Sequence, residues 1–264
     1  MLSTPYPLDE ATVAGFRQNG HCLLRGLASP EEIARYHPLI RRAAERYNTE
    51  QRALEERDTY GKAFLQVMNL WTRDEGVREF VLAQRFAATA ARLLGVERVR
   101  VYHDQALYKE PGGGPTPWHQ DQYYWPLDTD ATVTMWMPLV DITAEMGMLN
   151  FASGSHEGGA VGTVAISDDS DALFQRHVEE RAFPVTEQAE MRAGDATFHT
   201  GWVIHNAGPN RSPDVTREVM TVIYFADGAH VSEPANADQE NDRQRWLDGL
   251  EPGRRAASRL NPVP

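Results

Sequence analysis

The sequence holds a single cysteine and lacks both a long apolar run and a leader-like start. Cys22 is the one cysteine among 264 residues, which excludes an intramolecular disulfide framework and a cysteine-based zinc site and fits a reducing compartment. Nowhere do the about 18 apolar residues of a membrane span run together. The first ten residues carry neither the basic nor the apolar region of a signal peptide. We therefore expect a cytoplasmic protein with no membrane partner.

Basic residues are also scarce relative to acidic ones. The chain has 26 Lys and Arg against 38 Asp and Glu, a formal net charge of −12. Phosphate backbones are bound by clustered Lys and Arg, so this balance argues against a nucleic-acid partner. Length and an apolar content of 41% suffice for a full core. The aromatic residues, 6 Trp, 9 Tyr and 9 Phe, lie mostly in the centre of the chain and favour a single core.

Helical signals dominate the first part of the chain. Ser29-Pro30-Glu31-Glu32 predicts a helix start, because serine caps, proline suits the first turn and Glu32 completes a capping box. That helix is expected to reach about Tyr47. Helical apolar spacing also predicts helices from Leu8 to Asn19 and from Glu75 to Leu94, the second ending at Gly95.

Short strand-like runs dominate the middle of the chain, separated by Gly, Pro, Asn, Asp and Ser. The runs are Val99 to Tyr108, Thr132 to Leu139, Met148 to Phe151, Val161 to Ile166, Ala196 to Phe198, Gly201 to Asn206 and Glu218 to Phe225. Helices followed by many short strands predict a mainly β protein with flanking α-helices, built on an antiparallel double-sheet barrel. Ser167 to Glu180 interrupts the strands and is interpreted as an inserted helix or lid, with Asp168 to Asp171 in a solvated loop.

No internal repeat or linker divides the chain, so one domain is expected over residues 1–264. Within it we predict a mainly helical N-terminal part (1–96), a barrel core (97–228) and a C-terminal extension (229–264). The extension is charged and contains proline, with a helix expected around Gln239 to Leu250.

The candidate metal ligands lie in the stretch Trp118-His119-Gln120-Asp121-Gln122. In an extended strand His119 and Asp121 point the same way, with Gln120 opposite. An imidazole and a carboxylate supply two of the three ligands of a 2-His-1-carboxylate iron(II) site. His205 is the preferred third ligand, because it follows a strand-like run and precedes a turn. His199 is the alternative.

A set of motifs keeps a characteristic order and spacing along the chain. The motifs are Lys109, Pro117 to Asp121, Thr134-Met135-Trp136, Gly147-Met148-Leu149, Ser153-Gly154-Ser155-His156, Gly194-Asp195, and His205 with Gly208-Pro209-Asn210 and Arg217. Together, from Leu23 to Phe225, they resemble the phytanoyl-CoA dioxygenase family of iron(II)- and 2-oxoglutarate-dependent oxygenases. Ala207 departs from the serine that this family often has there.

The resemblance implies a double-stranded β-helix core, of jelly-roll or cupin type, in which His119, Asp121 and His205 hold iron(II). It also implies an arginine that binds the distal carboxylate of 2-oxoglutarate. Arg217 fits this role because it opens the last strand-like run, and Arg211 is the alternative. Arginine suits the task because its planar fork meets a carboxylate bidentately.

Further candidates come from alternation along the strands and from the aromatic flanks of the ligand stretch. Predicted co-substrate contacts are Gln105, Thr116 and Trp136, and predicted substrate contacts are Lys109, Trp118 and Tyr123. Each has a structural alternative. Lys109 could be a solvated edge-strand lysine, and the aromatic residues could belong to the core.

The expected function is oxidation, usually hydroxylation, of a small organic molecule such as a secondary metabolite or an amino-acid-like compound. By resemblance the reaction uses iron(II), O2 and 2-oxoglutarate and releases succinate and CO2. The carboxylate of Asp121 disfavours halogenation, since related halogenases have a small residue there. Two alternatives stay open: a cupin-type metal-dependent isomerase, which does not need Arg217, and a non-catalytic ligand-binding β-domain, which would tolerate loss of Asp121.

Overall fold

The computed structural model of the chain describes residues 2–162, 164–188 and 190–264, without the side chain of Tyr60. The helices are α1 (Glu10–Asn19), α2 (Pro30–Tyr47), α3 (Thr59–Ala63), α4 (Glu75–Val81), α5 (Gln84–Leu94), α6 (Asp168–Glu180) and α7 (Ala237–Trp246). The strands are β1 (His21–Leu24), β2 (Leu65–Met68), β3 (Val99–Lys109), β4 (Thr116–His119), β5 (Thr132–Pro138), β6 (Leu149–Ala152), β7 (Val185–Glu187), β8 (Ala196–Thr200), β9 (His205–Ala207) and β10 (Arg217–Ala226).

Two antiparallel sheets form the core. The larger sheet has the strand order β1-β8-β5-β10-β3-β2, and the smaller has the order β4-β9-β6-β7. The long strand β10 pairs with β3 on one side and β5 on the other, so it lies inside the larger sheet. This arrangement agrees with the predicted antiparallel double-sheet core with helices outside it.

The larger sheet separates an apolar helix-packed face from a partly polar inner face. On β5, Val133, Met135 and Met137 are fully buried in the cluster that includes the N-terminal helices. Full burial of each such side chain contributes roughly 1.5–3 kcal/mol. Thr134 and Trp136 alternate with them and face the interior between the sheets. The side chains of this strand therefore alternate between the two faces of the sheet.

The N-terminal helices follow their sequence signals with one exception. Ser29 caps α2 in a capping box, as predicted. A single helix from Glu75 to Leu94 is wrong, because the backbone leaves the helical conformation at Leu82 and Ala83. Two successive positions of the apolar pattern are five residues apart at this break, and a continuous helix would place them on different faces. The break lets Phe80 and Phe86, both fully buried, pack with ring centroids 5.1 Å apart.

Several of the strand assignments differ from the prediction. The run from Gly201 is mostly a turn, and β9 begins only at His205. No described residue between Val161 and Ile166 belongs to a strand, and Thr163 lies outside the described residues. The short strands β2 and β7 were not predicted, because neither has a distinctive apolar alternation. Within the described ranges, no helix combines the length and apolar character of a membrane span.

Candidate active site

His119 and His205 face each other across two paired strands. His119 ends β4, His205 begins β9, and the register pairs the two residues directly. Their ring centroids lie 4.1 Å apart, and both side chains are buried. The antiparallel ladder therefore brings together two imidazoles that are far apart in the chain.

Asp121 joins them from a turn and not from a strand. The prediction that it lies on the same strand as His119 is wrong, because β4 ends at His119 and Asp121 opens a short 3-10 turn. Gln120 between them stays extended, with φ −123° and ψ 125°. Its amide points away and donates to the carbonyls of Gly159 at 2.8 Å and Trp202 at 2.7 Å. The two candidate ligands therefore still share a side.

The three side chains form a compact donor set. Asp121 Oδ1 lies 3.5 Å from His119 Nε2 and 3.9 Å from His205 Nε2, and one ligand atom of each residue lies within 4.8 Å of the others. His119 Nδ1 donates to the Pro117 carbonyl at 2.8 Å, and His205 Nδ1 donates to the Val203 carbonyl at 3.0 Å. A carbonyl only accepts, so the proton sits on each Nδ1 and each Nε2 is free to bind metal. These donors fit a 2-His-1-carboxylate centre.

The charges of the site also suit a metal. Burial alone would raise the pKa of Asp121, but the neighbouring His205, His119 and His199 hold it well below its usual range. Burial, together with His119 and His199, holds the pKa of His205 well below its usual value. At neutral pH the site therefore offers an ionised carboxylate and a neutral imidazole, the forms that bind metals.

His199 lies beside the three residues but on the far side of the carboxylate. Its Nε2 is 3.5 Å from Asp121 Oδ2, and Thr134 Oγ1 donates to the same oxygen at 3.0 Å. Thr134 and His199 are themselves register partners on β5 and β8. The two oxygens of the Asp121 carboxylate thus have different neighbours. Oδ1 faces His119 and His205, and Oδ2 faces Thr134 and His199. Thr134 was noted in the sequence as part of the motif Thr134-Met135-Trp136, and its contact with Asp121 was not predicted.

Arg217 is a buried cation without an anionic partner among the residues that the structure describes. It is 1% exposed, its guanidinium donates to the Gly147 carbonyl, and its Cζ lies 5.3 Å from the centre of the Trp136 ring. Its Nε has no hydrogen-bond partner within the described part of the chain. Burial lowers its pKa to about 9, with no acidic residue to offset that. A buried guanidinium of this kind is suited to binding a carboxylate from outside the chain.

Lys109 is the register partner of Arg217 and is also fully buried, so it is not a solvated edge-strand lysine. Its ammonium donates to the Gly114 carbonyl and lies 3.5 Å from Thr116 Oγ1. Burial, and then repulsion from Arg217, lowers its pKa to about 6. An anionic ligand beside Arg217 would raise the pKa of Lys109 again and favour its protonated form at this end of the site.

A cavity of about 230 Å³ joins the three candidate ligands to Arg217. Of the predicted co-substrate contacts, Gln105, Thr116 and Trp136 all line it. Of the predicted substrate contacts, none has its own side chain among the lining residues. Lys109 lies directly behind Thr116.

Trp118 and Tyr123 lie outside the cavity for different reasons. Trp118 is adjacent to His119 on β4, so its side chain takes the opposite face and packs near Phe174. Tyr123 is turned toward α7, where its hydroxyl donates to Asp238 Oδ2 at 3.0 Å. Tyr124 and Trp125, which come next in the chain, do line the cavity, and Trp246 joins them from α7.

Helix α6 holds the strand that carries His119. The Trp118 N–H donates to Asp171 Oδ1 at 2.8 Å, and Ser170 Oγ donates to the Trp118 carbonyl at 3.0 Å. The solvated loop predicted for Asp168 to Asp171 is therefore wrong, since these residues form the first turn of a helix that covers the β4 edge. The inserted helix predicted from Ser167 to Glu180 is confirmed, with Ser167 as its N-cap.

Solved structures of iron- and 2-oxoglutarate-dependent enzymes share this fold. The carbocyclase SnoK from nogalamycin biosynthesis superposes with a TM-score of 0.81 at 25% identity, covering 99% of both chains. The epimerase SnoN, in complex with Fe3+, alpha-ketoglutarate and nogalamycin RO, gives 0.78 at 25% identity over 96% of this chain and 97% of its own. EctD from S. alaskensis, at 18% identity, shows the fold alone, with a TM-score of 0.71 over 98% and 88% of the two chains. The predicted double-stranded β-helix core is confirmed.

Curated relatives carry similar names. The probable alpha-ketoglutarate-dependent hypophosphite dioxygenase of Stutzerimonas stutzeri is 24% identical over 155 residues, which are 58% of this chain and 54% of that protein. Dioxygenase hkm4 of Aspergillus hancockii is 23% identical over 230 residues, 78% of this chain and 68% of its own. The chain thus spans about half the length of the first of these relatives and two thirds of the second. At the level of the family, the predicted enzyme class, a non-haem iron(II) and 2-oxoglutarate-dependent dioxygenase, and its cofactors are confirmed.

The family model for phytanoyl-CoA dioxygenase matches residues 16–219. That span includes His119, Asp121, His205 and Arg217, and it nearly coincides with the span predicted from the motifs. The chain belongs to the phytanoyl-CoA dioxygenase family.

Proposed function

We propose that this protein oxidises a small organic molecule at an iron(II) centre, using O2 and 2-oxoglutarate and releasing succinate and CO2. One observation carries the proposal. Two imidazole Nε2 atoms and a carboxylate converge within 4.8 Å, in a cavity that also contains a buried arginine with no anionic partner among the described residues. A metal and a carboxylate-bearing co-substrate would together satisfy all of these groups.

His119, Asp121 and His205 are the proposed iron ligands. Iron bound there supplies the oxidative chemistry, in which O2 is activated at the expense of 2-oxoglutarate. The chain contributes the rest. The Pro117 and Val203 carbonyls fix the proton on Nδ1 of each histidine and orient both rings.

Arg217 is the proposed partner of the distal 2-oxoglutarate carboxylate. Its guanidinium is held by the Gly147 carbonyl and backed by the Trp136 ring, so its orientation is fixed before the co-substrate arrives. Thr116 and Gln105 are proposed to contact the co-substrate from β4 and β3. Lys109 is proposed to act from behind Thr116, taking up a proton when the anionic co-substrate binds next to Arg217.

A secondary metabolite is the proposed substrate. SnoK and SnoN, which share the fold along nearly their whole length, are described as enzymes of nogalamycin biosynthesis. The cavity is also lined by Tyr124, Trp125 and Trp246, which suits a substrate with ring systems. Hydroxylation is the proposed outcome. Carbocyclisation and epimerisation, the reactions named for SnoK and SnoN, are alternatives on the same machinery.

The helical N-terminal part, the barrel core and the C-terminal extension are proposed to act as one domain. Strands β1 and β2 complete the two edges of the larger sheet. Helix α7 of the extension lines the cavity. Neither the core nor the site would be complete without these flanking parts.

The two alternatives are less well supported. A cupin-type isomerase does not require a buried arginine such as Arg217, which has no anionic partner among the described residues. A non-catalytic β-domain has no use for two histidines whose free Nε2 atoms face one carboxylate oxygen.

Anaerobic titration with iron(II) and 2-oxoglutarate tests the proposal. Chelation of the co-substrate to the iron should give a weak visible charge-transfer band, and His119→Ala should abolish it. Stoichiometric succinate release on admitting O2 should follow in the wild type only. A band of unchanged intensity in His119→Ala, or no band in folded wild-type protein, would overturn the assignment.

A further inference from the structure

The outer wall of the cavity is formed by one face of helix α7. Asp238, Asp242 and Trp246 follow one another at intervals of four residues, so they share that face, and all three line the cavity. We call these three residues the α7 wall. Asn241 and Arg245, both exposed, stand at its rim. The wall lies in the C-terminal extension, beyond the residues matched by the family model.

The two carboxylates of the α7 wall have only neutral hydrogen-bond donors. Asp242, 8% exposed, accepts from the Tyr102 hydroxyl at 3.1 Å. Asp238 accepts from the Tyr123 hydroxyl at 3.0 Å. Across the described residues, no Lys, Arg or His nitrogen lies within 4.0 Å of a carboxylate oxygen of either one. A buried carboxylate is normally paired with a cation, so Asp242 lacks a positive charge beside it.

Arg245 is on the same helix and lines the cavity, but it does not supply that charge. Its Cζ lies 4.5 Å from the centre of the Trp246 ring, so the guanidinium stacks at the rim. It lowers the pKa of Asp242, but burial dominates and raises that pKa to about 7. The carboxylate of Asp242 therefore remains poorly compensated in the free protein.

His103 provides a second, independent sign that a ligand binds here. It is 2% exposed, lines the same cavity, and packs with its ring centroid 5.1 Å from that of Trp246. Its buried Nδ1 has no hydrogen-bond partner in the described part of the chain. Burial lowers its pKa to about 3, so the ring is neutral and supplies no charge to Asp242. An imidazole nitrogen without a partner, beside carboxylates that have no cation among the described residues, indicates that polar groups of a ligand complete this part of the cavity.

We propose that the α7 wall binds a protonated amine of the substrate, with Asp242 as its main charge partner and Asp238 as the second. This inference rests on the proposed function, because it assigns a substrate class to the same cavity. The face of Trp246, together with Trp125, gives such a cation an aromatic surface as well as a carboxylate. The amine would anchor the substrate at the wall, while the carbon to be oxidised extends toward His119 and His205.

The test uses protein loaded anaerobically with iron(II) and 2-oxoglutarate. Formation of the charge-transfer band is checked first, so that failure of the proposed function is seen separately. Binding is then measured by calorimetry for matched pairs: tyramine against 4-(2-hydroxyethyl)phenol, glucosamine against glucose, and a panel of tertiary amines against their alcohol counterparts. At least one amine should bind on the order of tenfold more tightly than its alcohol.

Asp242→Asn and Asp238→Asn should each reduce that preference, and the double variant should abolish it. Glu240→Gln is the matched control, because Glu240 lies on the same helix, pairs with Arg243 and does not line the cavity. Since Asp238 is half-exposed, its variant should fold even if Asp242→Asn does not. A normal charge-transfer band with no amine bound more tightly than its alcohol would overturn the inference. So would a preference that survives in the folded double variant.

Discussion

His119 and His205 are direct cross-strand partners, with ring centroids 4.1 Å apart. The ladder between β4 and β9 sets this distance, so the geometry of the site is a property of the strand register. A shift of one residue in either strand would turn one imidazole to the opposite face. The site therefore depends on whatever holds the β4 edge in place, and that element is α6.

Asp171 should contribute to stability through β4. Its carboxylate accepts from the Trp118 N–H, so Asp171→Ala should lower the free energy of unfolding by about 1–2 kcal/mol. Asp169→Ala is the control, since Asp169 is exposed in the same helical turn and has the same interaction with the helix dipole. Urea unfolding measures both. Equal losses in the two variants would show that the bond to Trp118 contributes nothing.

Thr134 should orient the carboxylate that binds iron. Thr134→Val removes the donor to Asp121 Oδ2 while keeping the side-chain shape. Loss of such a supporting hydrogen bond weakens metal binding roughly 10–100-fold. The matched control is Thr197→Val, because Thr197 is equally buried on β8 and its hydroxyl has no partner among the described residues. Competition for iron(II) with a chelator measures the affinity, and unchanged binding in Thr134→Val would contradict this role.

Arg217 should determine the affinity for 2-oxoglutarate. Arg217→Met removes the guanidinium and should raise the Kd on the order of a hundredfold, with iron binding retained. Arg211→Met is the control and should leave the Kd unchanged, because Arg211 is exposed in the turn before β10. The intensity of the charge-transfer band against 2-oxoglutarate concentration gives both values. A raised Kd in Arg211→Met with an unchanged Kd in Arg217→Met would instead assign 2-oxoglutarate binding to Arg211.

Lys109 should make the stability depend on pH. Its pKa in the folded protein is about 6, below the ordinary value of 10.5, so between these values the unfolded chain holds a proton that the folded chain has released. The free energy of unfolding should therefore rise with pH in this window, by at most about 1.4 kcal/mol per pH unit from this one group. The rise should disappear in Lys109→Met and persist in Lys62→Met, the other lysine of the chain. Urea unfolding from pH 7 to 9 checks it, and an unchanged slope in Lys109→Met would refute it.

The sequence was sufficient for the parts of the site that depend on local alternation and motif order. His119, Asp121, His205 and Arg217 were all selected that way, and the structure brings them to one cavity. The double-sheet core was predicted from the succession of short runs. Local patterns could do this because a strand shows its inward face in its own residues.

What the sequence could not provide were contacts between distant segments. The bonds from α6 to Trp118 and the position of the α7 wall depend on packing that no local pattern encodes. Trp118 was predicted to contact the substrate but packs outside the cavity. Its aromatic character alone could not distinguish the two positions, because it suits a pocket and a core equally well. Likewise, the pair of residues that faces each oxygen of Asp121 could be identified only from the β5–β8 register.

The most direct test of the central claim is the iron content of single variants after anaerobic loading and dialysis. Wild-type protein and His199→Ala should each retain about one iron(II) and give the charge-transfer band with 2-oxoglutarate. His205→Ala should lose both, because only its Nε2 belongs to the donor set with His119 and Asp121. Retention of iron and band in His205→Ala, with loss of both in folded His199→Ala, would contradict the account.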